Sequence, residues 1–285
     1  MTRALVVTTA GTNCDLEMCH GFELAGASVE PVHLNMLMAE PELIDGFDLI
    51  GLPGGFSYGD AVAAGRIAAQ LMRQTLYSAF VRAIERGVPI FAPCNGFPVA
   101  AQLGLLPGAG LVDGDGGLSW PAAPPAPTVT LAQNATGRFV DRWVKVEIPA
   151  DTRCIWTQGI DLPAAAMMLP VAHGEGRFIA AESDLPQRLA ENGQVAVRYA
   201  SDDNPNGSMD GIAGICDASG LVFGLMPHPE RYTRWMQHPF WTRLDERTMS
   251  GEPLGLRMFR NAVAHAEKKG DGSLFRKKAP VPFFL

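Results

Sequence analysis

Short apolar runs alternate with amphipathic ones through the first hundred residues. The runs "ALVVTT" (4–9), "VEPVHL" (29–34), "FDLIGLP" (47–53) and "VPIFAPC" (88–94) read as β-strands, with a helix over 15–26 between the first two. A second helical pattern covers 65–86, where Ile67, Leu71, Phe80, Val81 and Ile84 share one face, and Gly87 marks its stop. Strand and helix in alternation predict a parallel sheet joined by right-handed crossovers.

The texture changes at residue 107. "PGAGLVDGDGGLSWPAAPPAPTV" is dense in Gly and Pro and reads as a loop; "RWVKVEI", "CIWTQ", "MMLPVAH", "QVAVRYA" and "IAGICDASGLVFGLMPH" then read as strands with turns between them. Asp217–Gly220 ("DASG") is expected to be a hairpin turn. Residues 254–268 place Leu254, Met258, Phe259, Ala262 and Val263 on one face of a closing helix, and "GDGSLFRKKAPVPFFL" reads as a tail. No internal repeat is found. The expected division is a domain over 1–232 with a helical extension and tail, 233–285, packed on it.

Length and charge narrow the partner. At 285 residues the chain can hold one large domain with a substantial core, and its net charge of −7 supplies no basic field for nucleic acid or an anionic membrane. A small molecule or another protein is the expected partner. Five scattered cysteines with no CxxC pair read as reduced thiols, so no metal is expected. The N-terminus has no signal-peptide pattern, and no run approaches the roughly 18 to 20 apolar residues that span a bilayer. The expectation is a cytoplasmic protein.

The candidate chemistry starts at "IFAPCNGFPVAAQLG" (90–104), where a strand stops at Cys94 and a helix follows. That turn exposes a side chain at the carboxyl end of a sheet and aims free N–H groups and the helix dipole at it, which favours a thiolate. Gly96 would keep the tight turn clear, and Pro93 holds Ala92 extended. The competing reading is a buried structural thiol, because free cysteines are often buried. A nucleophilic cysteine needs an oriented base. "GLVFGLMPHPERY" ends an apolar strand in His228, Pro229 and Glu230, which places the carboxylate to fix the imidazole's tautomer; a surface histidine in a Pro-rich turn is the alternative. In "LIGLPGGFSYGD" (49–60) the glycines let backbone N–H groups face a ligand, and the N–H of Asn95, after the nucleophile, is the natural second oxyanion donor. An ordinary strand-to-helix turn competes with that assignment.

Taken together, the PGG turn, the cysteine elbow and HPE resemble the class I (triad) glutamine amidotransferases. Within them, the chain is similar to the glutaminase subunits of phosphoribosylformylglycinamidine synthase. The matching stretches are "GTNCD" (11–15), "PGGFSYGD" (53–60), "CNGF" (94–97), "LGLLPG" (103–108), "GRFVDRWVKV" (137–146), "PVAHGEGRF" (170–178), "NPNGS" (204–208) and "MPHPERY" (226–232). The resemblance implies a flavodoxin-like α/β three-layer sandwich with a mostly parallel central sheet and antiparallel additions. It implies that Cys94 attacks the glutamine amide, that His228 is general base and then acid, that Glu230 orients it, and that the backbone N–H groups of Gly55 and Asn95 hold the oxyanion. Ammonia would pass to a large ATP-dependent synthetase subunit making the amidine for purine biosynthesis, with a small bridging subunit as a further partner. No cofactor is expected in this chain, which has no GxxxxGK[ST] loop; ATP and Mg²⁺ would belong to the synthetase. Gly54 and Phe56, with His173, Gly174 and Gly176 of "HGEGRF", are candidate substrate-pocket residues. The alternative for that loop is a Gly-rich connection with solvated Glu175 and Arg177.

Four features stand apart. The family's elbow begins with Gly where this chain has Ala92, and a Gln that helps hold the substrate is replaced by Pro98. Asn13 and Cys14 are expected at the ligand edge of the sheet, but Cys14 has no evident base and is not assigned a catalytic role. His238 in "QHPFW" reads as structural. Another elbow-cysteine hydrolase of similar fold, or a non-catalytic subunit retaining the fold, are the competing functional readings.

Overall fold

The computed structural model describes residues 1–108, 111–112 and 118–270. The elements are β1 (Arg3–Thr8), α1 (Asp15–Ala25), β2 (Ser28–His33), α2 (Leu34–Ala39), β3 (Leu49–Gly51), α3 (Arg66–Thr75), α4 (Tyr77–Glu85), β4 (Ile90–Pro93), α5 (Gly96–Leu103), β5 (Leu111–Val112), β6 (Leu118–Ser119), β7 (Val129–Gln133), β8 (Val140–Glu147), β9 (Met168–His173), β10 (Glu175–Ala180), α6 (Leu185–Glu191), β11 (Val195–Tyr199), β12 (Ile212–Cys216), β13 (Val222–Leu225), α7 (Glu246–Met249) and α8 (Leu254–Gly270). Parts of the Gly/Pro-rich stretch (109–110 and 113–117) and of the tail (271–285) lie outside the described residues.

A nine-stranded sheet runs β2-β1-β3-β4-β13-β12-β11-β8-β9. The first five strands are parallel, and the other four are added antiparallel. Counting the reversals from β13 leaves β9 pointing the same way as β13. The carboxyl ends of β1, β3, β4, β13 and β9 therefore meet at one edge, where open α/β sheets place their ligands. β7 and β10 form a separate antiparallel pair, as do β5 and β6.

Alternation along β1 shows why the sheet sits in the middle. Leu5 and Val7 join one apolar cluster with residues of α2 to α5, and Ala4 and Val6 join another with α1 and α8. A strand buried on both faces needs apolar residues at every position, and "ALVV" supplies them. The result is a three-layer α/β/α sandwich. Phe91 of β4 stacks on Trp156 (4.9 Å between centroids) and meets Phe259 of α8 edge-on at 5.4 Å. Leu254, Met258, Phe259, Ala262 and Val263 are all buried, so the closing helix belongs to the core.

Three expectations change. The helix over 65–86 is two helices broken at Leu76 (φ −113°), a fully buried side chain that anchors the kink. Of the five residues assigned to its face, Phe80 and Ile84 are buried, whereas Ile67, Leu71 and Val81 are half-buried, because the break rotates the second half. "CIWTQ" forms turns instead of a strand: Trp156 is buried by stacking, and its indole N–H donates to Leu221 O at 2.9 Å. The segment "HGEGRF" carries β10, a strand hidden in the sequence by its glycines. The "DASG" hairpin is present, with the Asp217 carboxylate accepting from the N–H groups of Ser219 and Val222.

Candidate active site

Cys94 is the first residue past β4 and adopts φ +48°, one of four non-glycine residues with positive φ among those described. Its N–H donates to Leu225 O (2.7 Å), which ties the turn to the end of β13, and Phe97 N–H donates to Cys94 O (3.0 Å) as α5 begins. Gly96 is required here. A Cβ on it would lie 2.0 Å from the carbonyl oxygen of Leu52. The first turn of α5 carries no acidic residue, so its unpaired N–H groups and dipole act unopposed on the thiol.

His228 follows β13 by three residues and is buried, and its N–H donates to Pro170 O of β9 at 2.8 Å. Its Nδ1 lies 2.7 Å from Glu230 Oε1, itself buried, while Nε2 has no partner among the described residues. A carboxylate on Nδ1 places the neutral ring's proton there and leaves Nε2 free as the base. Burial by itself lowers the imidazole pKa, but the Cys94 sulfur and the Glu230 carboxylate outweigh it and raise the pKa well above the ordinary value. Gly54 lies beneath these groups. A Cβ there would come within 3.0 Å of Cys94 Cβ, 3.2 Å of His228 Cε1 and 3.4 Å of Cys14 Sγ.

The PGG turn follows β3. Gly55 has φ +117°, and a Cβ on it would lie 2.6 Å from Asn13 N, so no other residue fits. Asn95, next to Cys94, sends its side-chain Nδ2 to Gly55 O (2.6 Å) and to Asp60 Oδ1 (2.8 Å). The two backbone N–H groups assigned as oxyanion donors thus belong to residues joined by a side-chain hydrogen bond.

A cavity of about 290 Å³, at the small end of small-molecule sites, opens over these groups; Cys94, Asn95, Gly55, Phe56, His173, Gly174 and His228 all line it. Gly176 is beneath the floor, where a Cβ would meet the His173 ring at 2.4 Å. Asn134 donates from Nδ2 to Arg138 O and His173 O, so its Oδ1, 3.0 Å from His173 Nδ1, accepts that ring's proton. His173 is therefore neutral with its Nε2 lone pair free; burial, helped by the nearby charge of His228, pushes its pKa down to about 4. Pro98 is buried in the first turn of α5 and does not line the cavity.

Asn13 and Cys14 line the wall, as expected of the ligand edge, together with Asp60, Glu175 and Arg231, which sequence reasoning gave no role in the site. Glu175 is half-buried and tied down, its Oε2 accepting the Ala64 N–H at 3.1 Å. Cys14 does lie near a base, its sulfur within 4.8 Å of a His228 ring nitrogen, and Arg231 Nη2 donates to that sulfur at 3.0 Å. Cys14, His228 and Glu230 hold their ligand-type atoms within 4.8 Å of one another, but the adjacent guanidinium opposes a cation there. His238 is buried between Trp143, Tyr232 and Phe240, as a structural residue would be.

Comparison with known proteins decides the family. A model of the CobB/CobQ-like glutamine amidotransferase domain matches residues 1–266. The chain belongs to this glutamine amidotransferase family. It is 38% identical over 275 residues to the phosphoribosylformylglycinamidine synthase subunit PurQ of Dehalococcoides mccartyi, covering 93% of this chain and 98% of that one. It is 34% identical over 283 residues to the subunit of the same name from Methanococcus maripaludis, covering 93% and 98%. Among solved structures it is similar to a chain of PurLQS from Thermotoga maritima (TM-score 0.64, 31% identity, 93% of this chain and 98% of that one). The glutaminase domain of Trypanosoma brucei CTPS, at 15% identity and TM-score 0.51 over 94% of each chain, shares the fold. Among the described residues no helix is long and apolar enough to cross a membrane.

Proposed function

We propose that this chain is the glutaminase subunit of a phosphoribosylformylglycinamidine synthase and that Cys94, His228 and Glu230 carry the hydrolysis. The observation that supports it most is the shared cavity in which an elbow cysteine with positive φ faces an imidazole held by a buried carboxylate at 2.7 Å. The Cys94 thiolate, its proton on His228, attacks the side-chain amide carbon of L-glutamine. The oxyanion that forms is held by the N–H groups of Gly55 and Asn95. As the C–N bond breaks, His228 gives its proton to the departing nitrogen, which leaves as ammonia. A glutamyl thioester remains. Water then attacks with His228 taking its proton, the C–S bond breaks, and glutamate and the thiol are restored.

The ammonia passes to a synthetase partner that uses ATP and Mg²⁺ to form the amidine in purine biosynthesis, a cytoplasmic pathway; this chain contributes no cofactor. The likeness to PurQ subunits and to PurLQS supports the partner assignment, with a small third subunit beside the synthetase. Because Pro98 does not line the cavity, substrate contacts fall to other polar groups that do, among them Asn13, Glu175 and Arg231. The test is ammonia and glutamate release from glutamine by the purified chain, alone and with the synthetase subunit and its nucleotide ligands. Release that rises with the partner and vanishes in Cys94→Ala is expected; no release in either setting from folded protein would overturn the proposal.

A further inference from the structure

Asp60 stands outside the triad and the oxyanion donors, yet its carboxylate is tied through one amide to both residues that carry the proposed donors. One oxygen, Oδ1, accepts the Gly65 N–H (3.1 Å) and the Asn95 Nδ2 (2.8 Å). The other hydrogen of that amide goes to Gly55 O at 2.6 Å. Both acceptors lack hydrogens, so the amide orientation is set by its neighbours, and both Nδ2 hydrogens are used. We infer that Asp60 is a positioning residue for the oxyanion hole: it holds the Asn95 side chain so that the peptides of Gly55 and Asn95 keep their N–H groups converged on one point.

The loop that carries Asp60 is built for this role. Tyr58 (φ +53°) and Asp60 (φ +48°) both occupy the left-handed region, a conformation that persists only where surrounding contacts over-determine it. Those contacts are present. Tyr58 N–H donates to Ala10 O (2.7 Å) and Gly59 N–H to Phe56 O (2.7 Å). At the far end the Ala64 N–H is taken by Glu175 Oε2 at 3.1 Å, which pins the loop to the β9–β10 turn. The strained residue is thus anchored on both sides, and its carboxylate faces the residue after the nucleophile. An oxyanion hole works by having its donors aligned before charge develops, so a group that fixes them acts on the turnover step and little on ground-state binding.

This inference rests on the glutaminase reading and refines it. The test compares Asp60→Gly with Asp60→Asn in the full complex. Glycine tolerates the positive φ but removes the acceptor; asparagine tolerates it too and keeps an Oδ1 able to accept both hydrogen bonds. Two rates are followed: ammonia release with glutamine, and alkylation of Cys94 by iodoacetamide, a displacement in which no oxyanion forms. Asp60→Gly is expected to lower kcat about 10- to 100-fold with KM within about threefold, the scale of a misplaced catalytic group. Its alkylation rate should stay within about twofold, and Asp60→Asn should recover kcat to within about threefold of wild type. An unimpaired Asp60→Gly would overturn the inference. So would a rise in KM at unchanged kcat, which marks a substrate contact, or alkylation slowed in step with kcat, which marks a collapsed site. A wild type that releases no ammonia would remove the glutaminase reading and this inference together, whereas an active wild type beside an unimpaired Asp60→Gly removes this inference alone.

Discussion

Two strand-to-helix turns present a cysteine to the same cavity, and they differ in ways that assign them different work. Cys14 follows β1 and caps α1 with φ −107°; Cys94 follows β4 and turns into α5 with φ +48°. The first turn of α1 carries Asp15 and Glu17, which neutralise the positive end of its dipole, whereas α5 has no acid there. The residue after Cys94 is an amide bonded to Gly55 and Asp60 that carries a proposed oxyanion donor; the residue after Cys14 is a carboxylate that would repel an oxyanion. Burial raises the Cys14 thiol's pKa, partly offset by the nearby His228. A cysteine at a helix start near a histidine is therefore an incomplete description of a nucleophile. The sign of φ and the charge of the next residues separate the two.

The largest expected effect is on turnover. Cys94→Ser should lower ammonia release at least about a thousandfold, as loss of a triad nucleophile does, while Cys14→Ser should cost less than about tenfold. Equal losses in the two variants, measured with the synthetase present, would erase the distinction drawn here. Next comes backbone crowding two residues beyond each cysteine. Gly96→Ala should destabilise the chain by about 3 kcal/mol, because its methyl group meets the Leu52 carbonyl at 2.0 Å, whereas Leu16→Ala, at a side chain 77% exposed, should change stability by less than about 0.5 kcal/mol. Urea unfolding of both variants checks this, and a silent Gly96→Ala would mean that the elbow is looser than described.

The smallest effect concerns the two histidines that share the cavity with these cysteines. The folded pKa of His173, about 4, lies below its ordinary value near 6.5, so between those limits the unfolded chain binds the extra proton and stability rises with pH. For His228 the folded pKa is raised. Its contribution is fully present below about 6.5 and is lost as pH rises through the folded value. Unfolding measured from pH 6.5 down to 4.5 should cost wild type on the order of 1–2 kcal/mol more than His173→Gln. Identical slopes would show that His173 titrates normally and that its pocket is wetter than its burial indicates.

What could be read in advance follows a pattern. Cys94, the PGG turn and the HPE segment each stand at the end of an apolar run and are flanked by Gly or Pro, which confine the backbone locally. Asp60 and Glu175 also sit beside glycines, but the contacts that give them and Arg231 a place in the site are not local in sequence. Their partners lie 35, 111 and 217 residues away in the chain, at Asn95, Ala64 and Cys14. Cys14 has no base near it in sequence, because His228 reaches it only through the adjacency of β1, β3, β4 and β13 in the sheet. The "CIWTQ" run looks like a strand because Cys154, Ile155 and Trp156 form a short apolar stretch, but Cys154 and Trp156 are buried by the aromatic core without joining a strand ladder.

The sequence by itself determined the alternation of strand and helix, the doubly buried strands and the turns where side chains meet solvent at strand ends. Those depend on the covalent preferences of Gly and Pro and on periodicities of two and 3.6, which act over a few residues. Only the tertiary structure decided which strand ends are neighbours, which of two cysteines receives a clear helix dipole and a neighbour bonded to the PGG turn, and which carboxylate holds the amide beside it. Hydrogen bonds and charges act over a few ångströms of space, and the folded sheet alone sets which residues fall within that reach.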